Sequence, residues 1–162
     1  MRKGYPFLFC LFSLPLCTCA ADNPPVWVKE IPARSVPVFD GKVPAIVLLD
    51  EQHATVDATG KVTIAFRRAL KILNQEGRKE AEAVIPYLSG SVKVKELHAW
   101  LIAPSGYVKT FGKHRVQDIG AVTEALYDEL RIRAVHAKEP EIGSVFAYEA
   151  ELERTKIGRA HV

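Results

Sequence analysis

Cysteine is almost absent from the 162 residues, and where it occurs it lies close to the N-terminus. The three cysteines are Cys10, Cys17 and Cys19, all within a segment that we expect to be removed during export. A chain that starts near Asp22 has no thiol, which excludes disulfide bonds, thiolate metal sites and a cysteine nucleophile. Burial of apolar side chains must hold the domain together, and about 130 residues suffice for one hydrophobic core.

Long apolar runs are also lacking. The longest, Tyr5–Leu16, is well short of the roughly 20 residues of a membrane-spanning helix. It follows Arg2 and Lys3 and precedes a stretch of mostly small residues, a pattern typical of a secretory signal peptide over residues 1–21. The pattern predicts an exported protein without a membrane span.

Cleavage of this segment is expected just before Ala21 or Asp22, with small Ala20 and Ala21 at the cut. We therefore predict a periplasmic or secreted protein. A lipoprotein signal, with acylation of Cys19 and attachment to the outer membrane, is the alternative, but the two residues before Cys19 are bulky for such a signal.

The sequence also lacks a large excess of either positive or negative charge. The chain has 22 basic and 19 acidic residues, and loss of Arg2 and Lys3 with the signal leaves 20 against 19. A nearly neutral domain without a cluster of basic and aromatic residues argues against nucleic acid or anionic lipid as a partner.

Proline is frequent in the segment that follows the signal. Pro24, Pro25, Pro32, Pro37 and Pro44 lie in or beside it. Proline removes a backbone donor and interrupts both helices and central strands, so residues 22–43 are predicted to form an extended leader. Trp27 and Phe39 are expected to dock on the domain, because isolated aromatic side chains gain burial there.

After Pro44 the chain alternates apolar and polar residues with a period of two, which is typical of antiparallel strands. In Gly143–Arg154 the even positions from 146 to 152 are apolar and the odd positions from 149 to 153 are glutamates, which predicts one buried and one solvated face. Lys61–Leu73 is similar. Its second half also fits helical spacing, but its β-branched start favours a strand.

Ser91–Ala103 begins with the same alternation and then becomes apolar on both faces, so its end is expected to be central in a sheet. Turn residues separate the strands at Asp57–Gly60, Asn74–Gly77 and Pro104–Gly106. Val122–Leu130 is ambiguous: its apolar residues fit a short helix, whereas Leu130, Ile132 and Ala134 alternate with Arg131 and Arg133 as in a strand. The predicted fold is mainly β: an antiparallel β-sandwich-like domain of successive hairpins over residues 44–155, with room for one short helix.

No motif supplies an activated nucleophile or a compact metal site. Ser89–Gly90–Ser91 lacks the Gly-x-Ser-x-Gly elbow and is interpreted as a loop. No histidine among His53, His98, His114 and His136 has a His or Cys three or four residues away. His98 shares strand parity with Trp100, which predicts a partly buried ring hydrogen-bonded to backbone. We predict no catalytic residue, no metal and no cofactor.

The stripe Glu149, Glu151 and Glu153 could imitate a catalytic carboxylate pair, since strand neighbours two apart lie about 7 Å from each other. A glycosidase pair, however, normally straddles a cleft from different elements. The stripe is therefore interpreted as a solvated face that discourages edge aggregation.

Five segments, taken in order and spacing, resemble one family over about Pro44 to Glu153. They are Val47–Gln52, Arg67–Gly77, Ile85–Tyr87, Pro104–Gly106 and Pro140–Tyr148. The family is the domain of unknown function 3857, typical of exported bacterial proteins just before a transglutaminase-like domain. Ser105 stands where the family often has Asp, and it can serve the same local hydrogen-bonding role.

The resemblance implies that a papain-like Cys, His and Asp site lies downstream and that none of its residues is in this chain. This chain would be a non-catalytic accessory module that packs on or positions the downstream domain. Consistent with a continuation beyond Thr155, Ile157–Val162 resembles a translated DNA-sequencing adapter, so we expect residues 156–162 to be non-native.

Two other functions stay open at this level. A self-sufficient exported module for peptide or glycan would use exposed aromatic residues, for which the candidates are Trp27, Trp100, Tyr107 and Tyr127. A carboxylate hydrolase would depend on Glu149 or Glu151 for turnover.

Overall fold

The computed structural model describes residues 23–38, 41–120 and 129–154. Within these ranges the chain forms eight strands, one short α-helix and three 3-10 turns. The bounds are α1 Val26–Glu30, β1 Ala45–Val56, β2 Val62–Ile72, β3 Glu82–Leu88, β4 Val92–Ile102, β5 Val108–Phe111, β6 Gln117–Gly120, β7 Leu130–His136 and β8 Val145–Arg154, with 3-10 turns at Ile31–Ala33, Glu76–Glu80 and Lys113–Arg115. No helix among the described residues is long and apolar enough to cross a bilayer.

The strands form two antiparallel sheets. The five-stranded sheet has the order β1-β2-β8-β4-β5, and the three-stranded sheet has the order β3-β7-β6. The prediction of a mainly β, sandwich-like fold is confirmed.

Three pairs, β1–β2, β4–β5 and β6–β7, join strands that follow one another in the chain. The β1–β2 and β4–β5 hairpins have turns that are held by local hydrogen bonds and a glycine of positive φ. Asp57 Oδ1 accepts hydrogen bonds from the Thr59 and Lys61 amides at 2.8 and 3.1 Å, while Gly60 has a positive φ of 79°. At the β4–β5 turn, Gly106 has φ 86° and its amide donates to Ala103 at 2.9 Å.

The turn at Asn74–Gly77 was predicted to connect two paired strands of a hairpin, but the strands on its two sides do not pair. It leads into β3, which pairs with β7 in the second sheet instead of returning along β2. The place beside β2 is taken by β8, which comes from the far end of the chain and lies between β2 and β4. Only three of the strand pairs are therefore sequential hairpins.

The five-stranded sheet buries apolar residues on both faces. Its inner face meets the three-stranded sheet around Phe146, Leu70, Leu97 and Ala150. Its outer face carries a second apolar cluster, in which α1 and the following turn cover one end of the sheet. That cluster contains Val28, Ile31, Leu49, Ala69, Trp100, Ile102, Val145 and Ala147.

The prediction of an extended leader was wrong for residues 26–33, which form α1 and a 3-10 turn. Pro25 is the residue that caps α1, and Pro32 lies in the first turn of the 3-10 segment. Proline is tolerated at these positions because the first amides of a helix have no intrahelical acceptor. Burial of Val28 and Ile31 then stabilises a helix too short to form alone.

Several predictions fall outside the described residues. They are the signal peptide with Cys19, Ala20 and Ala21, the docking of Phe39, the conformation of residues 121–128, and residues 156–162. The strand expected at Leu130–Ala134 is present as β7.

Candidate functional site

Polar side chains gather on the outer face of the five-stranded sheet, next to α1. Arg67, Glu149 and His98 are paired in register across β2, β8 and β4, so they form one row. Adjacent strands lie about 4.8 Å apart, which places the charged ends of the three side chains within reach of one another.

Trp27 of α1 closes one side of this row. Its indole Nε1 donates to Glu149 Oε2 at 3.1 Å, and its ring meets Trp100 edge to face with centroids 5.9 Å apart. The Arg67 guanidinium lies 5.8 Å from the Trp27 ring centroid, and its Nε is 3.7 Å from Glu149 Oε2. The expected docking of Trp27 is therefore confirmed, and Glu149 is the residue that fixes it.

His98 lies at the other side of the row. Its ring stacks on Trp100 with centroids 6.1 Å apart, and Nε2 is 3.4 Å from Glu96 Oε2. The ring is partly buried as predicted, but its partner is this carboxylate rather than the backbone. A cavity of about 180 Å³ lies beside it, lined by Arg67, Glu96, His98, Glu149 and Glu151 among others.

The glutamates of β8 are not a solvated edge, because β8 is the central strand of the sheet. Glu153 is only 20% exposed, and its carboxylate is 2.7 Å from Lys61 Nζ and 3.4 Å from Lys95 Nζ. The hydrogen bond from Lys61 lowers the pKa of Glu153 despite some desolvation. A lowered pKa opposes the role of general acid, which requires a raised one.

A second charged cluster lies between the sheets and centres on Asp118 of β6. Its carboxylate accepts hydrogen bonds from Tyr87 Oη at 2.8 Å, Arg131 Nε at 2.9 Å and Arg133 Nε at 3.0 Å. Arg133 also donates to the Val94 carbonyl oxygen at 2.7 Å and so connects the two sheets. Desolvation acts to raise the pKa of Asp118, but the hydrogen bonds from Arg133, Tyr87 and Arg131 outweigh it and the pKa is lowered.

The side chains of these two clusters attach parts of the fold to one another. Glu149 binds Trp27 of α1, and Arg133 connects the two sheets. Among residues 23–38, 41–120 and 129–154, no group of three or more His, Cys, Asp or Glu side chains could hold a metal ion. In the outer-face row, Glu149 already accepts from Trp27 and faces Arg67, so it is an anchor for α1.

The sequence of residues 58–159 matches the family described as a domain of unknown function with a solved structure, DUF3857. The match covers more than half of the chain. The chain belongs to this family. The match begins in the β1–β2 turn, somewhat after the Pro44 start that the resemblance indicated.

Among solved structures, the chain is similar to a protein from Parabacteroides distasonis described as a "putative protease". The TM-score is 0.58 at 14% identity, over 65% of this chain and 22% of the other, so the likeness concerns the fold alone. The chain thus spans about a fifth of the length of that protein.

A CBM3a-L domain from the scaffoldin CipA of the Clostridium thermocellum cellulosome also matches, at 10% identity over 69% and 68% of the two chains, but its TM-score of 0.35 is too low to compare the folds. No curated protein is significantly similar to the chain in sequence.

The remaining predicted positions are dispersed over this domain. His53 is exposed on β1, His114 lies in the Lys113–Arg115 turn, and His136 Nδ1 is 3.3 Å from Glu82 Oε2. Ser89 and Ser91 lie in the turn between β3 and β4, which confirms the loop interpretation. Arg67 and Asp118 were not singled out in the sequence, although Arg67 has the strand parity that places it on the outer face.

The aromatic residues considered for ligand binding do not form one exposed platform. Trp100 is buried and Trp27 is half-buried against it, whereas Tyr107 is 70% exposed at the β4–β5 turn. Tyr127 lies outside the described residues.

Trp27 is expected to contribute to the attachment of α1, beside the buried Val28 and Ile31. Trp27→Phe removes the hydrogen bond to Glu149 and should lower the free energy of unfolding by about 1 kcal/mol. Trp27→Ala also removes the ring contacts and should cost about 2 kcal/mol, less than a fully buried tryptophan. Urea denaturation measures both, and Val26→Ala, on the exposed side of α1, is the control. Equal stability of all three variants would contradict the anchoring role.

Stability is expected to fall in acid, because the pKa values of Asp57, Asp118 and Glu153 are lowered in the folded chain. A depressed pKa contributes stability that is present above the unfolded value and lost as the pH falls through the folded value. The free energy of unfolding should therefore decrease below about pH 4, near the unfolded values of these groups. Urea denaturation across this range measures the slope, and Asp118→Asn should flatten it. A stability that rises as the pH drops would contradict the charge assignments.

Proposed function

We propose that the chain is a non-catalytic accessory module of an exported, transglutaminase-like protein and packs against the domain that follows it. Export rests on the signal-like residues 1–21. The transglutaminase-like partner rests on the resemblance described above, and the module role on the structural features below.

The observation that carries the proposal is the outer face of the three-stranded sheet. On β3, residues Val84 and Leu88 are 43% and 42% exposed, and Ile119 on β6 is 51% exposed. Ile132 lies between β3 and β6 on the same face, because it is paired with both Pro86 and Ile119. A contiguous apolar sheet face is the kind of surface that a neighbouring domain covers.

The charge distribution of this sheet supports the same interpretation. Arg131 and Arg133 turn toward the five-stranded sheet and pair with Asp118, although they alternate with apolar residues on β7. Glu82 and His136, whose Oε2 and Nδ1 atoms are 3.3 Å apart, are a polar pair at one end of the outer face, beside the apolar centre. The two arginines of β7 are thus used inside the domain, which leaves Ile132 on the outer face for an outside partner.

The length of the structural neighbour is also consistent with a module. The matched region is 22% of a longer protein that is described as a "putative protease". By analogy with that length, we place catalysis outside this domain.

The test begins with the source locus and the purified chain. We expect the reading frame beyond Thr155 to continue into a domain that contains a cysteine, and the chain alone to give no turnover of peptidase or transglutaminase substrates. A measurable turnover that Glu149→Gln or Glu151→Gln abolishes would instead establish a carboxylate hydrolase, and a native stop codon after Val162 would contradict the module.

The packing surface has its own test. In the isolated chain, Val84→Glu should change stability by less than about 0.5 kcal/mol, because the side chain is exposed. In the longer parent protein the same change should bury an unpaired charge between the domains. The free energy that holds the two domains together should then fall by about 2 kcal/mol or more. Val56→Glu, 68% exposed at the end of β1, is the matched control. Limited proteolysis between the domains measures the difference, and equal behaviour of both variants would remove this face from the proposal.

A further inference from the structure

A cleft of about 300 Å³ lies beside the part of β4 that extends past the end of β5, and residues 95–98 of β4 line it. β4 pairs with β8 from Val92 to Ile102, but with β5 only from Ala99 to Ile102. Within the described part of the chain, the stretch from Val92 to His98 therefore has no neighbouring strand on that side. Backbone groups at such an edge can hydrogen-bond to an added peptide chain.

Both ends of this open stretch are closed by other parts of the fold. At one end, Arg133 of β7 donates from Nη1 to the Val94 carbonyl oxygen at 2.7 Å. At the other end, Phe111 of β5 is paired with Ala99, and the chain then leaves the strand through the 3-10 turn Lys113–Arg115. A peptide along this stretch cannot run on past either end. The cleft therefore suits the end of a chain, and its volume is at the lower limit for ligand sites.

The lining of the cleft is mainly cationic. Lys95, Lys113 and Arg133 contribute three positive charges, and Glu96 is the one acidic residue among the described residues that line it. The Glu96 carboxylate is 3.4 Å from Nε2 of His98, which also lines the cleft. Lys113 has no carboxylate within ion-pair distance in the described part of the chain, so its ammonium group is available to a ligand.

The carboxylates next to the cleft are each shared between two cations. Glu153 is 3.4 Å from Lys95 Nζ and also pairs with a second lysine. Asp118 accepts from Arg133 and from a second arginine. One positive charge is left over in each of these groups, and Lys113 adds another. The surroundings of the cleft therefore attract an anion, even after the acidic lining residue is counted.

The cleft also has an apolar part, formed by Leu97 and Val116. Leu97 is 5% exposed in the core, and Val116 is half-buried against it. The last residue of a peptide that ends in an apolar side chain offers a carboxylate to the cations, a side chain to this apolar part and backbone groups to β4. An N-terminal ammonium group would be repelled by the cations, and an inorganic anion would use neither the apolar part nor the strand edge.

We propose that this cleft binds the C-terminal end of a peptide whose last residue is apolar, with the terminal carboxylate at Lys113 and the last backbone amides along residues 95–98 of β4. The cleft lies at the side of the domain, where β4 and β7 are connected by Arg133. The surface that we assign to the neighbouring domain is the outer face of the three-stranded sheet. The result for one site therefore leaves the other untouched.

The probe is a peptide of sequence Gly-Ser-Thr-Ala-Val with fluorescein at its N-terminus and a free C-terminus, and fluorescence anisotropy with the full chain measures its affinity. Lys113→Gln should weaken binding about fivefold, the upper range for one exposed ion pair. Arg115→Gln is the matched control, because Arg115 is exposed in the same 3-10 turn but does not line the cleft. It removes the same charge and should leave binding unchanged.

A second arm separates the terminal carboxylate from the rest of the peptide. Amidation of the C-terminus should weaken binding to the unchanged chain about tenfold, and it should have a smaller effect on the Lys113→Gln variant, since part of the interaction is then already lost. Hydrogen exchange should slow in residues 95–98 when the peptide is bound. Equal loss in the Arg115→Gln control, equal binding of the amidated peptide, inorganic phosphate binding as tightly as the peptide, or unchanged exchange in β4 would each overturn the proposal.

Discussion

Phe146→Ala is expected to lower the free energy of unfolding by about 3 to 5 kcal/mol, the range for a buried aromatic residue replaced by alanine. Phe146 is 1% exposed on the central strand β8 and is paired with Leu70 on one side and Leu101 on the other. Its ring meets Phe111 at a centroid distance of 6.3 Å. Removing it leaves a cavity between the two sheets that neighbouring strands cannot close, because each is held by its own ladder.

Urea or thermal denaturation measures this loss. Domains of this size have only about 5 to 15 kcal/mol of stability, so the alanine variant could be largely unfolded. Phe146→Leu, which keeps most of the volume, should then remain folded with a loss below about 2 kcal/mol. The control is Tyr107→Ala, since Tyr107 is 70% exposed and its loss should be small. A similar effect of both alanine variants would mean that the core does not centre on β8.

Gly77→Ala is expected to lower the free energy of unfolding by about 3 kcal/mol, at the upper end of the cost of overpacking. A Cβ at Gly77 would overlap the carbonyl oxygen of Pro44. That oxygen cannot move away freely, because it accepts hydrogen bonds from the amides of Leu73 and Asn74 at 2.9 and 3.3 Å. The substitution therefore either breaks these hydrogen bonds or displaces the turn that leads from β2 to β3.

Gly41→Ala is the matched control, since a Cβ at Gly41 would have no atom of the described residues within 4 Å. We expect it to change stability by less than about 0.5 kcal/mol. Equal melting temperatures of the two alanine variants would show that the close approach at Pro44 does not restrain the turn. Asn74 belongs to the same turn, and its Oδ1 accepts from the amides of Glu76 and Gly77 at 3.0 and 3.1 Å.

The strands could be predicted wherever apolar and polar residues alternate along the chain. Residues 61–73 and 143–154 alternate in this way, and they are β2 and β8. The β1–β2 hairpin followed from the Asp57–Gly60 turn, because the side chain of Asp57 and the positive φ of Gly60 act within a few residues. The place of β8 between β2 and β4 could not be predicted, since no short-range signal reports which distant strand completes a ladder.

The same limit applies to the candidate sites. Trp27, His98 and Glu149 were each considered in the sequence, but separately, and the glutamates were interpreted as a solvated face. The row of Arg67, Glu149 and His98 exists because β2, β8 and β4 lie side by side. Asp118 has no sequence signal at all, because its partners Tyr87, Arg131 and Arg133 come from two other strands.

By itself the sequence determined the strand content, the hairpin turns at Asp57–Gly60 and Pro104–Gly106, the docking of Trp27 and the family, since these depend on period-two patterning, local turn chemistry and ordered motifs. Only the tertiary structure decided that β8 is central, that Glu149 anchors α1 and that Glu153 pairs with two lysines. The physical reason is that local preferences act over a few residues, whereas strand order is set by burial and by completing backbone hydrogen bonds across the whole domain.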